Sequence, residues 1–185
     1  PACSLVGLPD SAVRESGDRV RAALKNLGFK WPDRHITVNL APADVRKTGP
    51  VYDLPLFLAV LSSSGQMDPP PADAAFLGEL ALDGTLRPVS GVLPMALAAA
   101  ADGIRALYVP VENAAEAAEA GGDAMTVYPA HTAREVVDAL RGVAPLSPCA
   151  AVPFDPSESW NSVPDFADVM GQPLARRAMV LAAAG

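Results

Sequence analysis

The sequence is poor in most of the residues that carry chemistry. Among 185 residues there are two histidines, two cysteines and only 5% aromatics. His35 and His131 are too few for the usual zinc triads, so neither merits a metal assignment. Cys3 and Cys149 stand far apart and form neither a ligand pair nor a secreted-type disulfide framework. Reduced cysteines in a cytoplasmic protein are the simplest account. No stretch approaches the ~20 apolar residues of a membrane span, and none has the layout of a signal peptide. A glycine-rich phosphate loop is also missing: "GQMDPPP" and "GGDAM" lack the Lys-Ser/Thr that follows a real one.

What is present is apolar and unevenly charged. Half of the residues are hydrophobic, which calls for a packed core rather than disorder. The formal charge of −7 argues against a general polyanion binder. Yet residues 1–47 hold eight Lys or Arg against five acids, net +3, and the remainder holds six against sixteen, net −10. The three lysines, Lys25, Lys30 and Lys47, all lie in that first part.

Strand and helix signals alternate along the chain. "ACSLVGLPD" reads as a strand and a turn, and Asp10 or Ser11 caps the helix that follows. Val13, Val20, Leu24 and Leu27 fall on one face of that helix, and Gly28 suits its end. "HITVNL" alternates as a half-buried strand, and "DLPLFLAVLSSSG" is a helix with Asp53 at its cap and Pro55 in its first turn. "AFLGELALDGTLRPV" is a hairpin turning tightly at Asp83-Gly84. A helix in "GVLPMALAAAADG", a strand in "RALYVPV", a helix in "NAAEAAEAG", a strand in "AMTVYPA" and a helix in "TAREVVDALRG" follow. The expected architecture is α/β, a mixed sheet covered by helices. Three segments are expected: a domain over 1–142, a Pro- and Ser-rich linker over 143–164, and from 165 the truncated start of a second domain, with a helix from Pro173.

Four stretches in order, "LVGLPDSAVRESGDRVRAALKNLGF", "ITVNLAPAD", "YDLPLFLAVL" and "FLGELALDGTLRPVSGVLP", resemble the N-terminal domain of the magnesium-chelatase-like AAA+ proteins of the ComM (YifB) type. The tail "DFADVMGQPLARRAMVLAAAG" resembles the opening of their ATPase module. The resemblance implies a Lon-protease-like, ribosomal S5 domain 2-like fold lacking its first strands. It implies that the full-length parent binds ATP and Mg²⁺, forms a hexameric ring in the cytoplasm, and works on DNA in uptake and recombination. Insertion of Mg²⁺ into a porphyrin, and a purely assembling role, remain alternatives. No cofactor is expected for this stretch alone.

Lon-type proteolysis needs a serine activated by a lysine, because a neutral hydroxyl is a poor nucleophile. In "RKTGPVYDLP" Gly49 and Pro50 match the family's nucleophile loop, and the serine's position holds Val51. In "GELALDGTLRPVSGVLPMA" Pro88 and Gly91 match the second loop, and the lysine's position falls on Leu93. Neither side chain can attack a carbonyl or take a proton, so the resemblance implies a degenerate dyad. Lys47 stands where Lon-type sequences carry a non-catalytic lysine. In the tail, Val169 and Gly171 match the approach to the adenine pocket, although Met170 replaces a common basic residue.

Two readings rest on the residues themselves. Asp44 and Asp53 could attract Mg²⁺, but capping and turn hydrogen bonds compete for both. Arg14, Arg21 and Lys25 share one helix face, with Lys30, Arg34, Arg46 and Lys47 nearby, and such a face suits DNA phosphates. Pairing within the helix to Glu15 and Asp18 competes with that use.

Overall fold

A computed structural model of the chain describes residues 3–151, 168 and 170–184, which fall into two units, Pro1–Val152 and Pro153–Gly185. The first unit opens with a βαβ turn of the chain. Strand β1 (Cys3–Val6) pairs in parallel with β2 (Ile36–Asn39), in register from Cys3↔Ile36 to Val6↔Asn39. Helix α1 (Ser11–Asn26) connects them. Asp10 caps it by accepting the Val13 N–H at 2.8 Å, and Gly28, at φ +79, follows its C-terminal end. Val13, Val20, Ala23 and Leu24 are buried on one face, and Leu27 is half-buried past the last turn. Each such burial contributes about 1.5–3 kcal/mol for a Val or Leu.

Helix α2 (Asp53–Ser63) is apolar on nearly every side and buries Leu54, Leu56, Phe57, Leu58, Val60 and Leu61, as a central core helix must. It packs against α1, and the shared core takes in Leu80, Leu86, Val136 and Val137. A second core holds Val89, Val92, Ala96, Leu107, Val109, Ala117, Met125 and Val127. It lies among helix α3 (Val92–Ala101), strand β6 (Ala106–Pro110), helix α4 (Ala114–Gly121) and strand β7 (Thr126–Ala130). With β3 (Ala74–Phe76), strands β6 and β7 form a parallel sheet in the order β3-β6-β7. Phe76, Tyr108 and Tyr128 stack across it with ring centroids 5.0 and 5.1 Å apart.

Between β3 and the hairpin of β4 (Glu79–Leu80) and β5 (Leu86–Arg87) the chain changes partners. Leu77 N–H still donates to the Tyr108 carbonyl, but Gly78 N–H donates to Val51. Gly78 has φ +153, and a Cβ there would stand 3.2 Å from Leu86 and 3.3 Å from Pro110. The fold is therefore α/β as expected, with its strands divided, among the described residues, into three small sheets rather than joined in one. The hairpin turn is one residue longer than the tight form. Ala81 and Thr85 pair, Gly84 N–H returns to the Ala81 carbonyl, and the Asp83 carboxylate accepts the Thr85 N–H. Gly84, at φ +91, lies against Leu27, where an added Cβ would come within 2.5 Å of Cδ1.

Helix α5 (Ala133–Leu140) is capped by Thr132, which accepts the Glu135 N–H at 3.2 Å. The Glu135 carboxylate takes the His131 N–H, so His131 stands beside a helix N-terminus. Of the proline-rich stretch that follows, Cys149 N–H bonds the Val127 carbonyl on β7, and residues 152–164 lie outside the described residues. In the second unit, helix α6 (Pro173–Ala184) begins at the proline expected to open it. Among the described residues no helix is long and apolar enough to cross a membrane.

Candidate functional site

The two loops singled out from the sequence face one another. Thr48 to Tyr52 and Pro88 to Gly91, with Glu79 and Met95, line one cleft of about 750 Å³. Gly49, at φ +79, leads into a single 3-10 turn, Pro50–Tyr52, and α2 follows directly. On the other side Gly91, at φ +80, precedes α3 in a left-handed conformation that glycine adopts without penalty.

Three side chains from distant parts of the chain hold this frame. Asp10 caps α1 with one oxygen and accepts the Gly49 N–H at 3.1 Å with the other. Those two backbone donors, Val13 first, hold its carboxyl below the usual aspartate range. Asp53, fully buried, receives Arg19 Nε at 2.6 Å and Nη2 at 3.0 Å, and also the Leu80 N–H at 3.0 Å. The hydrogen bond to Asp53 is the main cause that raises the Arg19 pKa. Asn113, buried, accepts the Val89 N–H and donates to the Val89 carbonyl, both at 2.9 Å, and donates to Glu116 at 2.7 Å. Its amide thus pairs with Val89 as a neighbouring strand would.

Val51 is half-buried against the second core, and its carbonyl accepts the Gly78 N–H at 3.2 Å. Leu93 lies in the first turn of α3, 43% exposed, and is not among the residues lining the cleft. The hydroxyls there belong to Thr48, Ser90 and Tyr52, and Glu79 is the carboxylate. None of the lining residues is Lys or His. Lys47 is buried, with its Nζ donating to the carbonyls of Pro42 and Val45, and it closes its own loop rather than reaching the cleft.

Asp53 does not cap α2. Tyr52 occupies the N-cap position, and the Asp53 carboxylate points inward to Arg19 and Leu80. With three donors already on Asp53 and Asp44 exposed, the two do not form a cation site. Among the described residues no group of three His, Cys, Asp or Glu could hold a metal ion.

The basic face of α1 is exposed at Arg14, Arg21 and Lys25, and none of the three forms an ion pair among the described residues. Glu15 instead reaches Arg19, at 3.6 Å. Arg21 holds its guanidinium carbon 5.8 Å from the ring centroid of Trp31. Sequence reasoning missed Trp31, though "KWPDR" interleaves an aromatic with cations. Asn113 had no local signal, because a buried asparagine pairing 24 residues away resembles any loop asparagine. In the second unit Gly171 is exposed at φ +75 just ahead of α6, and Val169 lies outside the described residues.

The family model described as "Subunit ChlI of Mg-chelatase" matches residues 1–113. Competence protein ComM of Haemophilus influenzae is 40% identical over 188 residues, covering all of this chain and 36% of that protein. DNA repair protein RadA of Treponema pallidum is 37% identical over 94 residues, half of this chain and 20% of that protein. Lon protease 2 of Bacillus subtilis is 27% identical over 130 residues, 70% of this chain and 23% of that protein. The chain thus spans about a third of the length of the curated relatives that it matches throughout.

Proposed function

Because the chain belongs to the family of the ChlI subunit of Mg-chelatase, in its ComM-type branch, we propose that it is the non-catalytic N-terminal part of a ring-forming AAA+ ATPase that acts on DNA. In this reading the parent uses ATP and Mg²⁺, assembles as a hexamer, and moves or remodels DNA strands during uptake and recombination. Residues 1–142 form the Lon-like domain, 143–164 the linker, and 165–185 the beginning of the ATPase, with Val169 and Gly171 beside the adenine.

The observation that carries the DNA reading is the free cationic face of α1. Arg14, Arg21 and Lys25 are exposed, without acid partners among the described residues, on a helix whose opposite face is core. Unpaired cations on a rigid helix are available to displace counterions from phosphates, and binding of that kind weakens steeply with salt. The names of ComM and RadA, a competence protein and a DNA repair protein, point the same way. The cleft between the two loops is scaffold in this reading, because Val51 and Leu93 replace the nucleophile and the base.

The test is DNA binding by the intact parent protein as a function of salt. Reversing Arg14, Arg21 and Lys25 to Glu is expected to weaken binding and to flatten its salt dependence by about 0.9 in log–log slope for each phosphate that is no longer neutralised. Unchanged affinity in the triple variant removes the helix from DNA binding. The family's description favours a second reading, assistance to Mg²⁺ insertion into a porphyrin. That reading requires tetrapyrrole-dependent ATP turnover with partner subunits, and the absence of such turnover ends it.

A further inference from the structure

We propose that the groove running from Arg14 and Arg21 across Trp31 to Lys30 and Arg34 takes single-stranded nucleic acid, with a base stacked on Trp31 and phosphates on the flanking cations. The inference rests on the DNA reading above and narrows it to one occupant and one aromatic contact.

The groove is two depressions that meet at one residue. Cys3, Leu5, Arg14, Gly17, Asp18, Arg21 and Trp31 line the smaller, of about 230 Å³. Arg14, Gly17, Asp18 and Arg21 stand at i, i+3, i+4 and i+7, so α1 presents them as one wall. The larger depression, of about 740 Å³, is lined by residues 30–37 together with Ser63, Ser64 and Gln66. Trp31 is the residue common to both. Cations therefore flank the indole on two sides, Arg14 and Arg21 from the helix, Lys30 and Arg34 from the loop that leads into β2.

The charge in the groove runs against that of the whole chain. Four cations face two carboxylates, Asp18 and Asp33, in a protein of net charge −7. None of these six groups is in an ion pair among the described residues. His35, on the same loop, lies within hydrogen-bond reach of Ser4 at 3.1 Å, between β2 and β1. The surplus of uncommitted cations suits a polyanion better than an acidic surface patch of limited reach.

The aromatic is held in place before any ligand arrives. The Gln66 side-chain amide clasps the backbone of Lys30, accepting its N–H at 2.8 Å and donating to its carbonyl at 2.7 Å. The Trp31 Nε1–H is buried with no acceptor among the described residues, so the ring is oriented by packing and not by its polar handle. Trp31 is half-buried against the first core, and Arg21 lies over the indole at 5.8 Å, so the proposed base stacks where the mobile guanidinium moves aside toward a phosphate. Base stacking on such a side chain tolerates any sequence but requires an unstacked base, which a single strand offers and an intact duplex does not.

The experiment measures binding of an oligodeoxythymidylate of about 20 nucleotides and of a duplex of the same length to the 185-residue chain by fluorescence anisotropy. Trp31→Ala is expected to weaken single-strand binding about five- to 150-fold, the range for loss of one stacked base, and duplex binding by less than about twofold. Trp31→Phe is expected to keep most of the affinity. In a Trp160→Phe background, which leaves Trp31 as the sole indole, the oligonucleotide should quench the remaining fluorescence. No quenching overturns the proposal, even where Trp31→Ala fails to fold. If Trp31→Ala binds as the parent does while Arg14, Arg21 and Lys25 reversal weakens binding, the stacking groove falls and the basic helix stands. If neither change matters, or neither nucleic acid binds, both readings fall together.

Discussion

Asp10 and Gly49, 39 residues apart in the chain, meet through a hydrogen bond of 3.1 Å from the glycine N–H to the carboxylate that also caps α1. One side chain thus sets the start of a helix and the entrance of the loop that would carry a nucleophile in a Lon-type enzyme. The loop keeps its shape because its supports lie elsewhere, in Asp10 ahead of α1, in Arg19 on α1 and in Leu80 of the hairpin, the last two through Asp53.

The Asp10 contact makes part of the stability pH-dependent. The folded-state pKa of Asp10 is lowered from 3.8, so its contribution is complete above that value and is lost as pH falls toward and through the folded value. Asp10→Asn has no charge to lose there. Urea midpoints measured downward from about pH 6 should fall less steeply below about pH 4 in the variant than in the parent. Parallel curves would show that Asp10 is not linked to folding.

Arg19 and Asp53 form a pair in which the acid is completely buried and the arginine side chain is 18% exposed. Removing the arginine strands a buried carboxylate, so Arg19→Ala should destabilise the domain by about 3–5 kcal/mol. Arg19→Met with Asp53→Leu should recover part of that loss, since both charges are then gone. Chemical denaturation of the parent and of these two variants decides it. A loss under about 1 kcal/mol for Arg19→Ala refutes the structural role.

Asn113 satisfies both backbone groups of Val89. In Asn113→Ala each of those buried groups loses its partner, at about 1–3 kcal/mol apiece. Asn113→Asp can still accept the Val89 N–H but cannot donate to the carbonyl, and it stands beside Glu116. It should be less stable than the parent at neutral pH and recover relative to it on mild acidification. Thermal melts at two pH values distinguish these outcomes.

Val51→Ser adds a serine hydroxyl to the first loop with no Lys or His lining the cleft to activate it. A fluorophosphonate probe should label neither the parent nor this variant. Labelling of the parent at Thr48 or Ser90 contradicts a degenerate dyad.

Burial raises the Cys3 thiol, with the nearby Asp18 carboxylate adding to the effect. Fewer thiolates form at a given pH, so in a Cys149→Ser background iodoacetamide at about pH 8.5 should react with Cys3 more slowly than with a free thiol. Equal rates would mean that the site neither buries the thiol nor places Asp18 near it.

The local elements were legible in the sequence because each is written in neighbouring residues. Val13, Val20 and Leu24 carry the period of α1, Asp10 its cap and Gly28 its end, and all behave in the structure as that spacing requires. The run after Asp53, with Pro55 in its first turn, likewise announced a helix. Tertiary structure alone decided what the isolated polar residues do. Asp53 reads as a cap from its neighbours but bonds Arg19, 34 residues away. Lys47 reads as a surface cation but is buried under the carbonyls of Pro42 and Val45. Trp31 becomes the hinge between two cationic walls only when α1 and the loop before β2 come together. Periodicity and capping are properties of adjacent residues, which the sequence states directly. The partner of a buried charge, an amide or a ring is whatever the packed chain brings within about 3–6 Å, and no short window of sequence contains it.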